Sequence, residues 1–78
     1  MWWYFVKICE TEISIIYDFG YESRELTGRF EYNKAEKKAK ITKGPDKSAY
    51  NHFDYTVLQL IEDAGAPDTE TIAYGWIF

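Results

Sequence analysis

The sequence predicts an α+β fold: one five-stranded antiparallel sheet in the order 5-1-2-3-4, with a single helix packed on one face (ββββαβ). Three observations lead there. Apolar residues recur with period two in most of the chain, the pattern of a strand whose successive side chains point to opposite faces. Between Tyr50 and Ala64 the period changes to that of a helix. The chain has 78 residues, room for one small domain, 1–78. Aromatic residues make up 19% of it, and isoleucine and aromatics outweigh the three leucines, the preference of a pleated surface.

The first strand is read over residues 2–9, Trp-Trp-Tyr-Phe-Val-Lys-Ile-Cys, and is apolar on both faces. Residues 13–19 alternate, as do 26–32, where Leu26, Gly28, Phe30 and Tyr32 oppose Thr27, Arg29 and Glu31. Residues 38–43 set Ala39 and Ile41 against Lys38, Lys40 and Thr42. Gly44-Pro45-Asp46 then breaks the pattern. A helix is expected over 47–64, with Asp46 or Ser48 capping its start and a buried stripe of Tyr50, Phe53, Val57, Leu60, Ile61 and Ala64. Gly65 and Pro67 end it, because glycine accepts the left-handed cap and proline cannot continue the helix. Residues 70–78 form the last strand, expected antiparallel beside the first.

Register follows from the rule that directly opposed residues share a face. A first turn centred on Glu10-Thr11 sets Ile8 against Ile13, Val6 against Ile15, Tyr4 against Tyr17 and Trp2 against Phe19, all apolar. A third turn centred on Ala35-Glu36 sets Tyr32 against Ala39 and Phe30 against Ile41, with Glu31 facing Lys40 on the other side. With Leu26, Ile72, Tyr74 and Trp76 these residues form the expected dry face under the helix. The other face then holds Trp3, Phe5, Ile16 and Ile77 among polar neighbours, and one helix cannot cover both faces. An uncovered cluster of this kind marks a candidate protein-binding surface.

Charge is segregated within a net charge of −4: residues 1–33 carry −3, residues 34–47 carry +4, and residues 48–78 carry −5 with no Lys or Arg. The lysines of 34–47 read first as guards of an edge strand and second as a nucleic-acid contact strip. Glu62, Asp63, Asp68 and Glu70 read as a solvated acidic face, or as the counterpart of a partner's basic surface. Candidate chemistry is sparse. One cysteine excludes an intrachain disulfide and one histidine a multi-histidine metal site. Cys9 and His52 are expected too far apart to act as nucleophile and base, and the glycines have no phosphate-loop spacing. No apolar run approaches the ~20 residues of a membrane helix.

The expectation is a cytoplasmic, non-enzymatic protein-interaction module without cofactor or metal. It binds a partner protein or itself through Trp3, Phe5, Ile16 and Ile77. Size and acidity suit an inhibitor or immunity-type protein of the kind phages or mobile elements encode. The alternative is a single-stranded nucleic-acid-binding domain that uses sheet aromatics with Lys7, Arg29, Lys38 and Lys40.

Overall fold

The computed structural model describes residues 2–46, 50 and 52–73. Its strands are β1 (Trp2–Glu10), β2 (Ser14–Tyr21), β3 (Gly28–Asn33), β4 (Lys38–Lys43) and β5 (Thr69–Ala73), with helix α1 (Phe53–Leu58) between β4 and β5. All four strand pairings are antiparallel and the sheet order is β4-β3-β2-β1-β5, the expected topology.

The β3–β4 hairpin has the register that its sequence dictates. Tyr32 lies opposite Ala39, Phe30 opposite Ile41 and Glu31 opposite Lys40. Its turn closes when the Lys37 N–H donates to the Asn33 carbonyl at 2.8 Å, with Lys37 at a left-handed φ of 57°. The Asn33 side-chain oxygen accepts the Glu36 N–H at 2.8 Å, the local bonding that makes asparagine a turn residue. On β2, Ile15, Tyr17 and Phe19 face Tyr32, Phe30 and Gly28, so these three strands present one dry face.

β1 is where the expected register fails. Trp3 pairs with Tyr21, Phe5 with Phe19 and Lys7 with Tyr17, whereas Cys9 pairs with Ile16 and Glu10 with Ile15. Between Lys7 and Cys9 the strand carries a β-bulge, one extra residue at Ile8. Near the turn the strand has the expected parity, but beyond the bulge every side chain has changed face. Trp3 and Phe5, expected on the open side, are therefore fully buried. Trp2, Tyr4 and Val6, expected inside, lie on the open side. Ile8 and Ile13, the expected first pair, are 48% and 70% exposed, and Leu26 also lies outside the core. β5 is shifted as well: Trp3 faces Ile72 and Phe5 faces Glu70, in place of Ile77 and Gly75. Ile72 is nevertheless buried as expected, whereas Tyr74, Trp76 and Ile77 lie outside the described residues.

The core is an aromatic cluster. Trp3 meets Tyr21 at 4.6 Å and Tyr50 at 5.2 Å between ring centroids, and Tyr17 stacks on Phe30 at 5.6 Å. Helix packing supplies Phe53, Thr56, Val57 and Leu60, all buried. The buried Thr56 hydroxyl donates to the His52 carbonyl at 2.7 Å, which satisfies it without leaving the helix. The described helix starts at Phe53 with His52, in a left-handed conformation, as its N-cap, not Asp46; the expected start at 47 and the other cap candidate, Ser48, lie outside the described residues. A π-helical turn, Gln59–Asp63, extends it, so Ile61 is only half-buried and Ala64 is exposed. Gly65, at φ 78°, reverses the chain, and the Ala66 N–H closes on the Leu60 carbonyl at 3.0 Å. Among the described residues, no helix is long and apolar enough to cross a membrane.

Candidate protein-binding face

The helix covers one side of the sheet. The other side is built by the even-numbered residues of β1 and β2 up to the bulge: Trp2, Tyr4 and Val6 run along β1, and Ile16, Asp18 and Gly20 along β2. The bulge brings Cys9 opposite Ile16, so an exposed thiol borders the strip. Trp2, Tyr4, Val6 and Ile16 are each half-buried, and Ile8 projects beside them at the bulge. On β5 the same face carries Thr69, Thr71 and Ala73, all exposed.

One end of this strip is partly roofed by the chain itself. Gly20 lies beneath the backbone carbonyls of Ser23 and Glu25, a closeness that a Cβ would prevent. The same loop lays the Arg24 guanidinium over the Tyr4 ring, 5.1 Å from its centroid, a cation–π contact worth ~0.5–1 kcal/mol at an exposed site. The roof stops at Tyr4, so Val6, Ile16 and Ile8 continue the strip beyond it.

One charge pair of the face closes on itself. Arg29 holds Asp18 through two bonds, Nε to Oδ1 at 2.6 Å and Nη2 to Oδ2 at 3.3 Å. That carboxylate raises the Arg29 pKa above its ordinary value. Glu31 faces Lys40, and Lys38 faces Asn33.

Of the sequence-predicted binding set, only Ile16 lies on this face. Trp3 and Phe5 are core residues, and Ile77 lies outside the described residues. The four candidate nucleic-acid cations are also dispersed. Lys7 points to the helix side, where it bonds Glu10 at 2.7 Å and approaches Asp68 at 3.9 Å. Lys34 reaches the other Glu10 oxygen at 2.9 Å, and these two lysines hold that carboxyl below its ordinary pKa. Arg29 is engaged by Asp18, and Lys38 and Lys40 stand on the far edge strand. The residues that sequence reasoning missed are Trp2, Tyr4, Val6 and Arg24. One signal for them was present. Phe5 has no polar atom, whereas the hydroxyl of Tyr4 is at ease on a wet face.

The remaining candidates for chemistry stay apart. Cys9 is exposed on the open face and His52 caps the helix on the other. A cleft of about 420 Å³ between the helix and the β3–β4 hairpin is lined by Tyr32, Lys37, Asp54 and Val57 among others. Among the described residues, no group of three or more His, Cys, Asp or Glu side chains could hold a metal. No protein-family model, no curated protein and no solved structure matches this chain.

Proposed function

We propose that the chain is a non-enzymatic protein-binding module that works through the sheet face opposite the helix, and that a second copy is its first occupant. The observation that carries this reading is the strip of Trp2, Tyr4, Val6 and Ile16, with Ile8 at its end, on a face that carries no helix among the described residues and is roofed only at its Tyr4 end, by the loop of Ser23 to Glu25. Aromatic anchors are the usual energetic centres of protein interfaces. Two copies can meet here although each carries −4 overall, because the face itself sets Asp18, paired with Arg29, and Glu31 beside the cations of Lys38 and Lys40. The exposed, unpaired Cys9 favours a reducing, cytoplasmic setting for this action.

Size sets the strength. Five strands ~4.8 Å apart and about six residues long make a face of roughly 480 Å². Standard interfaces bury about 800 Å² per partner. The expected dimer is therefore weak and concentration-dependent. Light scattering across micromolar to millimolar protein tests it. A mass that rises toward the dimer, and that falls back to monomer in a folded Trp2→Ser/Tyr4→Ser variant, supports the reading. A strict monomer throughout, or a dimer indifferent to those substitutions, overturns it. The single-stranded nucleic-acid reading has less support, since Lys7 lies on the wrong face and Arg29 is engaged. A salt-sensitive oligonucleotide complex lost on replacing Lys38 and Lys40 would restore it.

A further inference from the structure

The two edges of the sheet are built differently. β4 exposes Lys38, Lys40 and Lys43 along its length, the usual protection against pairing with another strand. β5, Thr-Glu-Thr-Ile-Ala, has no lysine, no proline and no bulge against β1. Its β-branched residues favour a strand, and among the described residues it pairs with β1 alone.

Two hydrogen bonds show which backbone groups face outward. The Lys7 N–H donates to the Asp68 carbonyl at 2.7 Å, and the Glu22 N–H to the Trp2 carbonyl at 2.8 Å. In an antiparallel ladder, bonded pairs alternate with non-bonded ones. Residues 68, 70 and 72 therefore bond inward to β1, while Thr69, Thr71 and Ala73 turn their N–H and C=O groups to the outer edge. All three are exposed. The flanking side chains of β5 itself are acidic, with Lys7 of β1 3.9 Å from Asp68. Asp68 is 96% exposed, Glu70 follows on the same face, and residues 48–78 contain five acids and no Lys or Arg.

We propose that the outer edge of β5 accepts an extended segment of another protein as a sixth strand, and that this segment carries lysine or arginine at alternate positions. The main chain would supply the affinity through Thr69, Thr71 and Ala73. The alternation would supply the choice: cations of the incoming strand lie beside Asp68 and Glu70, and its β-branched residues lie beside Thr69 and Thr71. A segment bearing acids at those positions meets like charge and is rejected. The outward backbone groups of β5 border the Trp2/Tyr4 face but play no part in the contact proposed for it, so either proposal can fail without the other.

The probe is a blocked, fluorescein-labelled peptide that alternates lysine with valine or threonine, titrated into the full chain and read by anisotropy and by amide chemical shifts. The expected result is binding that weakens with salt, with the largest shifts at Thr69, Thr71 and Ala73. A glutamate-for-lysine peptide is expected to bind at least about tenfold more weakly. Thr71→Pro removes one outward N–H that the internal ladder does not use, so it should abolish binding in a chain whose near-ultraviolet circular dichroism is unchanged. Should proline disturb the fold, Glu70→Lys leaves the backbone edge intact and sets a like charge in the row where the peptide's lysines lie, with the same expected loss. Equal affinity for the two peptides, shifts centred on β4, no binding at all, or an edge already taken by a second copy would each overturn the proposal.

Discussion

Trp2 and Trp3 are neighbours in sequence and opposites in environment. Trp3 is sealed among Phe5, Phe19, Tyr21, Tyr50 and Phe53, whereas Trp2 lies half-exposed on the other side of the sheet. Truncating the first empties the core; truncating the other removes surface already half in water. Trp3→Ala is expected to cost ~3–5 kcal/mol, a large share of the stability of so small a domain. Trp2→Ala is expected to cost well under half of that. Urea denaturation of the two variants side by side checks it, and equal losses would mean that the bulge is misplaced. Hydrophobicity alone does not rank these residues. The even parity of β1 reads Trp2, Tyr4, Val6, Ile8, and the odd parity reads Trp3, Phe5, Lys7, Cys9. The even set is the drier in composition. Lys7 gives the odd set a polar member, yet it lies at the end of the sheet, where its ammonium reaches Glu10. Its stem can lie along the core while its head stays charged.

At the scale of elements, legibility depended on how many constraints converged. The β3–β4 hairpin was readable because two apolar pairs and an opposite-charge pair demanded the same register, and any slip would have broken all three. β1 had no such arbiter: it is apolar on both faces, and a bulge leaves no reliable composition mark. The helix stripe was readable from Phe53, Val57 and Leu60. Its start was not, because Asp46 satisfies the rule for a cap while the described helix is capped by a left-handed His52. The same kind of strain sits in the readable hairpin, where Lys37 adopts φ 57° on an exposed turn. A side chain in that conformation costs roughly 1–2 kcal/mol that glycine avoids, less what glycine loses in unfolded-state entropy. Lys37→Gly is therefore expected to stabilise by about 0.5–1 kcal/mol, raising Tm by a few degrees. Lys37→Val, β-branched and less tolerant of that conformation, is expected to lower it. Thermal melts of both variants decide the matter, and a Tm reduced by glycine would remove backbone strain from the account of this turn.

At the scale of the whole molecule, a sheet whose edge strands β4 and β5 each have one partner among the described residues needs different handling at each edge, and the charge distribution supplies it. The block of +4 falls on the β3–β4 hairpin and the block of −5 on the helix and β5. Lys38, Lys40 and Lys43 are exposed, and none of them forms an ion pair shorter than 4 Å among the described residues. Surface charges so placed contribute little to folding, within about 0.5 kcal/mol each. Their larger effect falls on encounters between molecules, where rows of ammonium groups oppose β4 pairing with β4. Replacing all three with threonine raises strand propensity and removes that repulsion. It also takes the net charge from −4 further from zero, which by itself favours solubility. The two effects pull in opposite directions, so the experiment separates edge protection from bulk charge. If the lysines act as guards, the triple variant melts like the parent in dilute solution but precipitates or becomes thioflavin-positive on concentration, despite its larger net charge. If net charge governs instead, the variant is at least as soluble as the parent, and the guard reading of this edge fails.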